Sequence, residues 1–124
     1  MTINEAITQT DALKPNQYET AEKVRWLNTL DGRIAAEVYA NREGVTSEFT
    51  PYDSEGDLAD ELLASEPYTD IYPAYLCAQI DYYNGETGRY NNSMVVFNMA
   101  FEAFANWVNR TYRSVPKSHV RLSL

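Results

Sequence analysis

The residue types that carry most enzyme chemistry are scarce in this sequence. It contains a single cysteine, Cys77, and a single histidine, His119. Cys77 lies in an apolar helical context that favours a buried, unreactive thiol, and His119 stands beside Lys117 in a polar stretch typical of a solvated surface. The sequence therefore lacks the cysteine and histidine clusters that hold zinc, copper or haem.

Carboxylate pairs are the remaining candidates for acid–base catalysis. Asp81 with Glu86, and Glu66 with Asp70, are close enough in sequence to act together. All four stand near predicted helix ends, where acidic residues are commonly solvated caps. Phosphate-binding glycine motifs and the nucleophile-elbow motif are absent. We therefore predict no catalytic, cofactor-binding or metal-binding residues, and a protein that is not an enzyme.

The elements that carry these residues follow from the spacing of apolar side chains. From Tyr90 to Tyr112, large apolar residues recur at intervals of three and four, which predicts a helix with one buried stripe over 87–113. Similar spacing predicts three further helices, over 2–13, 18–42 and 69–84. Two glycines, Gly85 and Gly88, indicate a short turn between the last two helices, which should form an antiparallel αα-hairpin.

Two stretches do not have the helical period. Residues 45–66 contain Pro51, Ser54 and Gly56 between their apolar residues, and we interpret them as a loop. This loop is expected to contain one or two short extended pieces or strands, at 46–50 and 61–64, and a short helix at 57–63 is the alternative. In the tail, 114–124, the alternation of polar and apolar residues after Pro116 suits a short strand that pairs with the irregular segment or with another chain.

Length and composition suit one mainly α domain. A chain of 124 residues buries about two thirds of its unfolded surface, and 44% hydrophobic with 23% charged residues is ordinary for globular proteins. No window approaches the roughly 20 apolar residues of a membrane span, and the first residues show neither the basic n-region nor the apolar h-region of a secretion signal. We expect a small four-helix domain with a C-terminal αα-hairpin, no membrane contact and an intracellular location.

Charge is distributed unevenly along the chain. Residues 43–88 contain eleven acidic residues and no lysine or arginine, whereas residues 89–124 contain five basic residues and one acidic residue. Charge blocks of one sign are often no more than solvated faces. The alternative is a head-to-tail contact between the basic end of one subunit and the acidic loop of the next, which builds a ring when the rotation closes. The residues predicted to form this subunit or partner interface are Asp53, Glu55, Asp57, Asp60, Glu61, Arg110, Arg113, Lys117 and Arg121.

Several stretches resemble small proteins encoded in prophages of Gram-positive bacteria. They are Thr2–Ile7, Asp11–Asn16, Lys23–Leu27, Leu30–Gly32, Pro67–Tyr68, Ile71–Tyr72, Tyr75–Leu76, Gln79–Glu86 and Arg89–Ser93. These proteins are similar to the head–tail connector proteins of tailed phages, also called adaptor or head-completion proteins. The similarity covers most of residues 2–113 and is weakest at 43–60 and in the tail.

The resemblance implies a structural function without catalytic residues. Connector proteins of this kind are mainly α-helical and assemble as rings beneath the portal protein, where they extend the DNA channel and dock a stopper or tail-completion protein. The implied location is the virion head–tail junction, and the host cytoplasm during assembly. An acidic inner surface would let DNA pass without sequence-specific binding. The alternative is a helical adaptor or regulatory module that binds a protein partner through its acidic loop.

Overall fold

Four α-helices make up most of the protein, as the sequence predicts. The computed structural model describes residues 1–56 and 58–115. The helices are α1 (Ile3–Leu13), α2 (Thr20–Arg33), α3 (Ile71–Tyr83) and α4 (Thr87–Thr111), and a π-helix over Ile34–Val38 follows α2 directly. The prediction of a mainly α, four-helix domain is confirmed.

The central helix is α3, since α1, α2 and α4 all pack against it. It runs antiparallel to α4 through a tight turn, in which Gly85 has a φ of 73° that favours glycine. Aromatic pairs join the two helices along their length: Tyr75 lies 5.2 Å from Phe97 and Tyr82 lies 5.4 Å from Tyr90, measured between ring centroids. The predicted αα-hairpin is therefore present.

Helix α4 buries one stripe of side chains, and helix α1 begins with a capping box. In α4 the buried residues are Phe97, Phe104 and Val108, all from the periodic set. The Thr2 hydroxyl accepts a hydrogen bond from the backbone N–H of Glu5 at 3.1 Å, and the Glu5 carboxylate accepts one from the N–H of Thr2 at 2.8 Å. These two bonds satisfy N–H groups that a helix start otherwise leaves unpaired.

The second predicted helix, 18–42, differs from the observed one. Its α-helical part ends at Arg33, and over Ile34–Val38 the backbone widens to a π-helix, with the N–H of Tyr39 bonded to the Ile34 carbonyl. The apolar spacing continues through both parts, so periodicity could not separate them. The chain then turns through Asn41 (φ 59°) and Gly44 (φ 94°).

The irregular segment, residues 45–66, is a loop in its described part. It contains no strand and no helix among 45–56 and 58–66; its one ladder contact is an isolated antiparallel bridge between Thr2 and Glu61. The proposed strands at 46–50 and 61–64 and the proposed helix at 57–63 were therefore wrong where described. A second bridge joins Arg42 to Ser114, while the strand predicted after Pro116 lies outside the described residues. No described helix combines the length and apolarity that a membrane crossing requires.

Candidate functional site

Asp31 is the most highly connected polar residue of the interior. It lies on α2 with no exposed surface. Its Oδ1 accepts a hydrogen bond from the Tyr72 hydroxyl at 2.7 Å, and its Oδ2 accepts from the Tyr52 hydroxyl at 2.5 Å and from the backbone N–H of Leu63 at 3.0 Å. One carboxylate thus joins α2, α3 and two points of the irregular segment.

The tyrosines around Asp31 also hold the backbone of the irregular segment. The Tyr72 hydroxyl accepts a hydrogen bond from the N–H of Ala64 at 2.7 Å, and the Tyr39 hydroxyl donates to the Leu63 carbonyl at 3.0 Å. Burial raises the pKa of Tyr39 to about 12, and burial together with the Asp31 charge raises the pKa of Tyr72 further. These hydroxyls therefore stay protonated and act as donors across the physiological range.

Asp31 itself is surrounded by neutral donors alone. Burial raises the pKa of its carboxyl above the ordinary aspartate value, while the hydrogen bonds from Tyr52, Tyr72 and the Leu63 N–H act in the opposite direction. Because the side chain is fully enclosed, a dissolved substrate does not reach its oxygens in this conformation. The arrangement is suited to holding a loop in place.

Asp81 is a second buried carboxylate with a different set of partners. Both of its oxygens accept hydrogen bonds from the Lys14 ammonium, at 2.6 and 2.7 Å, and Oδ2 also accepts from the Ser93 hydroxyl at 2.6 Å. Its side chain is 1% exposed, and that of Lys14 is 27% exposed. This ion pair joins the end of α1 to α3 and α4.

The expectation that Asp81 is a solvated cap was therefore wrong. The two carboxylate pairs considered for acid–base catalysis, Asp81 with Glu86 and Glu66 with Asp70, are not formed. Glu86 pairs with Arg89 at 3.1 Å, and the Glu66 carboxylate accepts from the Thr69 hydroxyl at 3.1 Å. Asp70 begins α3 without a side-chain capping bond. Among the residues that the structure describes, no group of three or more His, Cys, Asp or Glu side chains is placed to hold a metal ion.

The predicted interface acids lie along the irregular segment and are exposed. Asp53 and Glu55 belong to one turn, in which the Asp53 carboxylate accepts from the Glu55 N–H at 3.0 Å. Asp60 and Glu61 lie at the start of α1: the carbonyl of Asp60 accepts from the N–H of Ile3, and the Glu61 carboxylate pairs with the terminal ammonium at 3.1 Å. Asp57 lies outside the described residues.

The predicted interface arginines lie at the C-terminal end of α4. Arg110 and Arg113 are both exposed there. Arg42 joins them, because its guanidinium donates to the carbonyls of Asn109 at 3.4 Å and Tyr112 at 3.2 Å. A cation at this position also suits the negative end of the helix dipole. Lys117 and Arg121 lie outside the described residues.

The acidic and basic surfaces do not neutralise each other in the described part of the chain. The salt bridges found there involve none of Asp53, Glu55 and Asp60, and neither Arg110 nor Arg113. We use the term acidic segment for Asp53, Glu55, Asp60 and Glu61, and basic end for Arg42, Arg110 and Arg113.

An apolar groove was not predicted. It lies between α1 and α4, with a volume of about 470 Å3, and its floor is formed by Pro73, Ala74 and Cys77 of α3. Leu13 and Val96 form its walls and are 70% and 60% exposed. Cys77 is half-buried, and burial raises the pKa of its thiol. The prediction of a buried thiol was therefore wrong, although the raised pKa lowers its thiolate fraction.

Sequence reasoning missed Asp81 and the groove for one reason, and Asp31 for another. Lys14 and Asp81 are 67 positions apart, and a local sequence pattern cannot relate residues at that distance. Asp31 falls on the apolar stripe of α2, where Leu27, Leu30 and Ile34 are buried. Its position within that stripe was the available signal, because a carboxylate on a buried face needs partners.

Comparison with known proteins adds no relative. No family model matches the chain, no curated protein matches it, and no solved structure matches it.

Proposed function

We propose that this chain is a structural subunit of the head–tail junction of a tailed phage or prophage. It would assemble with copies of itself as a ring beneath the portal protein, extend the DNA channel and dock a stopper or tail-completion protein. The resemblance of residues 2–113 to connector proteins motivates the proposal. Under it, DNA passes through the ring without sequence-specific binding.

The observation that carries the proposal is the pair of exposed, oppositely charged surfaces. Within the described residues the acidic segment and the basic end form no salt bridge with each other; Glu61 pairs with the terminal ammonium, while the charges of Asp53, Glu55, Asp60, Arg110 and Arg113 are available to another molecule. A contact between different surfaces of identical subunits is heterologous, and a heterologous contact can close into a ring. The charges would also guide the encounter between subunits at low ionic strength.

Charge reversal tests the ring contact. We expect the chain mixed with its portal protein at low ionic strength to form a multi-subunit complex, measured by size-exclusion chromatography with light scattering. Arg110→Glu with Arg113→Glu should abolish that complex, and so should Asp53→Lys with Glu55→Lys. Mixing the two double variants should restore assembly, because one then has two acidic surfaces and the other two basic surfaces, so that every contact joins opposite charges.

Arg89→Glu is the matched control for the arginine variants. Arg89 is also an exposed arginine of α4, 71% exposed, but it lies at the opposite end of the helix and pairs locally with Glu86. We expect this variant to assemble normally. A wild-type chain that stays monomeric and never binds the portal at any accessible concentration would overturn the proposal. Binding to a regulatory protein through the acidic segment would instead support the adaptor alternative.

A further inference from the structure

The apolar groove between α1 and α4 is open to solvent in the described structure. Leu13 and Val96 border it, and Met99, one turn further along α4, is 70% exposed. Contiguous apolar surface of this kind on a small domain marks an interaction site. Its charged lining residues are Lys14, which is paired with Asp81, and Asp70, to which no salt bridge is formed among the described residues. A fitting occupant is therefore an apolar segment.

We propose that this groove binds residues 117–124 of a neighbouring copy of the same chain. Their sequence, Lys-Ser-His-Val-Arg-Leu-Ser-Leu, places apolar residues at Val120, Leu122 and Leu124. In an extended segment, alternate residues point to the same side, so these three side chains would enter the groove together. Lys117 and Arg121 would then lie on the opposite side of the segment and face water.

The point at which the described chain ends favours a neighbouring copy over the chain's own groove. The N–H of Val115 donates to the carbonyl of Asn41 at 2.7 Å, and Tyr112 packs against Gly44. At 3.6 residues per turn, Tyr112 and the groove residue Val96 point in directions about 160° apart around α4. The chain therefore leaves α4 on the side away from its own groove. The inference concerns contacts between copies and does not depend on a portal.

Photochemical cross-linking within the full chain tests this assignment. Leu122 is replaced by p-benzoylphenylalanine, and equal amounts of protein with natural and 15N-enriched backbones are mixed, irradiated and analysed by mass spectrometry. We expect residue 122 to cross-link to peptides that contain Leu13, Cys77 or Val96. We also expect cross-links between a natural and a 15N-enriched copy in the proportion that random mixing gives. Cross-links within one copy only, cross-links outside the groove, or none at all would overturn the proposal.

Two adjacent valines provide a matched pair of variants. Val96 lies in the groove and Val95 does not, yet they are 60% and 58% exposed on the same helix. Val96→Asp should lower the cross-link yield about tenfold or more, because a charge replaces an apolar contact, while Val95→Asp should leave it within about twofold. Circular dichroism checks that both variants fold. If both variants lower the cross-link yield equally, the contact does not lie in the groove.

Discussion

Asp31 and Asp81 are both buried, but their negative charges are stabilised by different means. Asp81 is paired with the Lys14 ammonium. Among the described residues Asp31 has no cationic partner, and it accepts hydrogen bonds from two tyrosine hydroxyls and one backbone N–H. A cation repays part of the desolvation cost by direct attraction, whereas neutral donors do so only through hydrogen bonds.

The two sites also order different parts of the molecule. Around Asp81, the partners belong to α1 and α4, which already pack against α3 through apolar side chains. Around Asp31, the partners Tyr52 and Leu63 belong to the irregular segment, whose described residues form no repeating backbone hydrogen bonds of their own. A buried carboxylate can therefore define a loop conformation where secondary structure does not.

The largest expected effect follows from Asp31→Ala. The substitution leaves the Tyr72 hydroxyl and the Leu63 N–H buried without their acceptor, and each such group costs about 1–3 kcal/mol. We expect the free energy of unfolding to fall by about 3–5 kcal/mol, measured by urea denaturation with circular dichroism. Asp53→Ala, a change at an exposed residue of the irregular segment, should cost less than about 0.5 kcal/mol. A loss below about 1 kcal/mol for Asp31→Ala would show that its hydrogen bonds are replaceable.

A smaller, asymmetric effect is expected at the ion pair. Lys14→Met keeps the apolar stem but leaves the Asp81 carboxylate buried with Ser93 alone, and should cost about 2–4 kcal/mol. Asp81→Asn should cost about 1 kcal/mol, because Lys14, 27% exposed, can turn its ammonium towards water. Both are measured by urea denaturation. If the two variants lose equal stability, the charge of Lys14 is not what distinguishes this site from Asp31.

The sequence predicts the helices well because their causes are local. The intervals of three and four between Phe97, Phe101, Phe104 and Val108 are a property of α4 itself, and the capping box of α1 lies within four residues. The same spacing could not reveal the π-helix, because a stripe of side chains continues through it.

The candidate sites were less predictable because they depend on contacts between distant residues. Asp31 meets Tyr72 across 41 positions of sequence, and the irregular segment takes its course from those bonds. The groove needs α1 and α4 on either side of α3, which no single helix pattern contains. Exposure of the acidic segment, by contrast, follows from its composition: charges without nearby partners remain in water.

The smallest expected effect is a difference in pH dependence. Burial raises the pKa of Asp31 in the folded protein above the value of about 3.9 expected in the unfolded chain. Between those two values the folded state binds more protons than the unfolded state, so the contribution of Asp31 to stability is lost as pH rises through this window. The slope for one group does not exceed about 1.4 kcal/mol per pH unit.

Asp31→Asn isolates this effect because the amide does not titrate, so we expect the stability of the wild type relative to the variant to decline as pH rises above about 4. Asp11 provides the opposite case. Burial acts to raise its pKa, but the hydrogen bonds from Lys23 and Asn16 outweigh it, and the pKa of Asp11 is lowered. Its contribution is therefore present above about pH 4 and lost as pH falls. The two effects are compared by urea denaturation of Asp31→Asn and Asp11→Asn across a pH series. Parallel curves for the two would mean that the neutral donors around Asp31 stabilise its charge as well as a cation does.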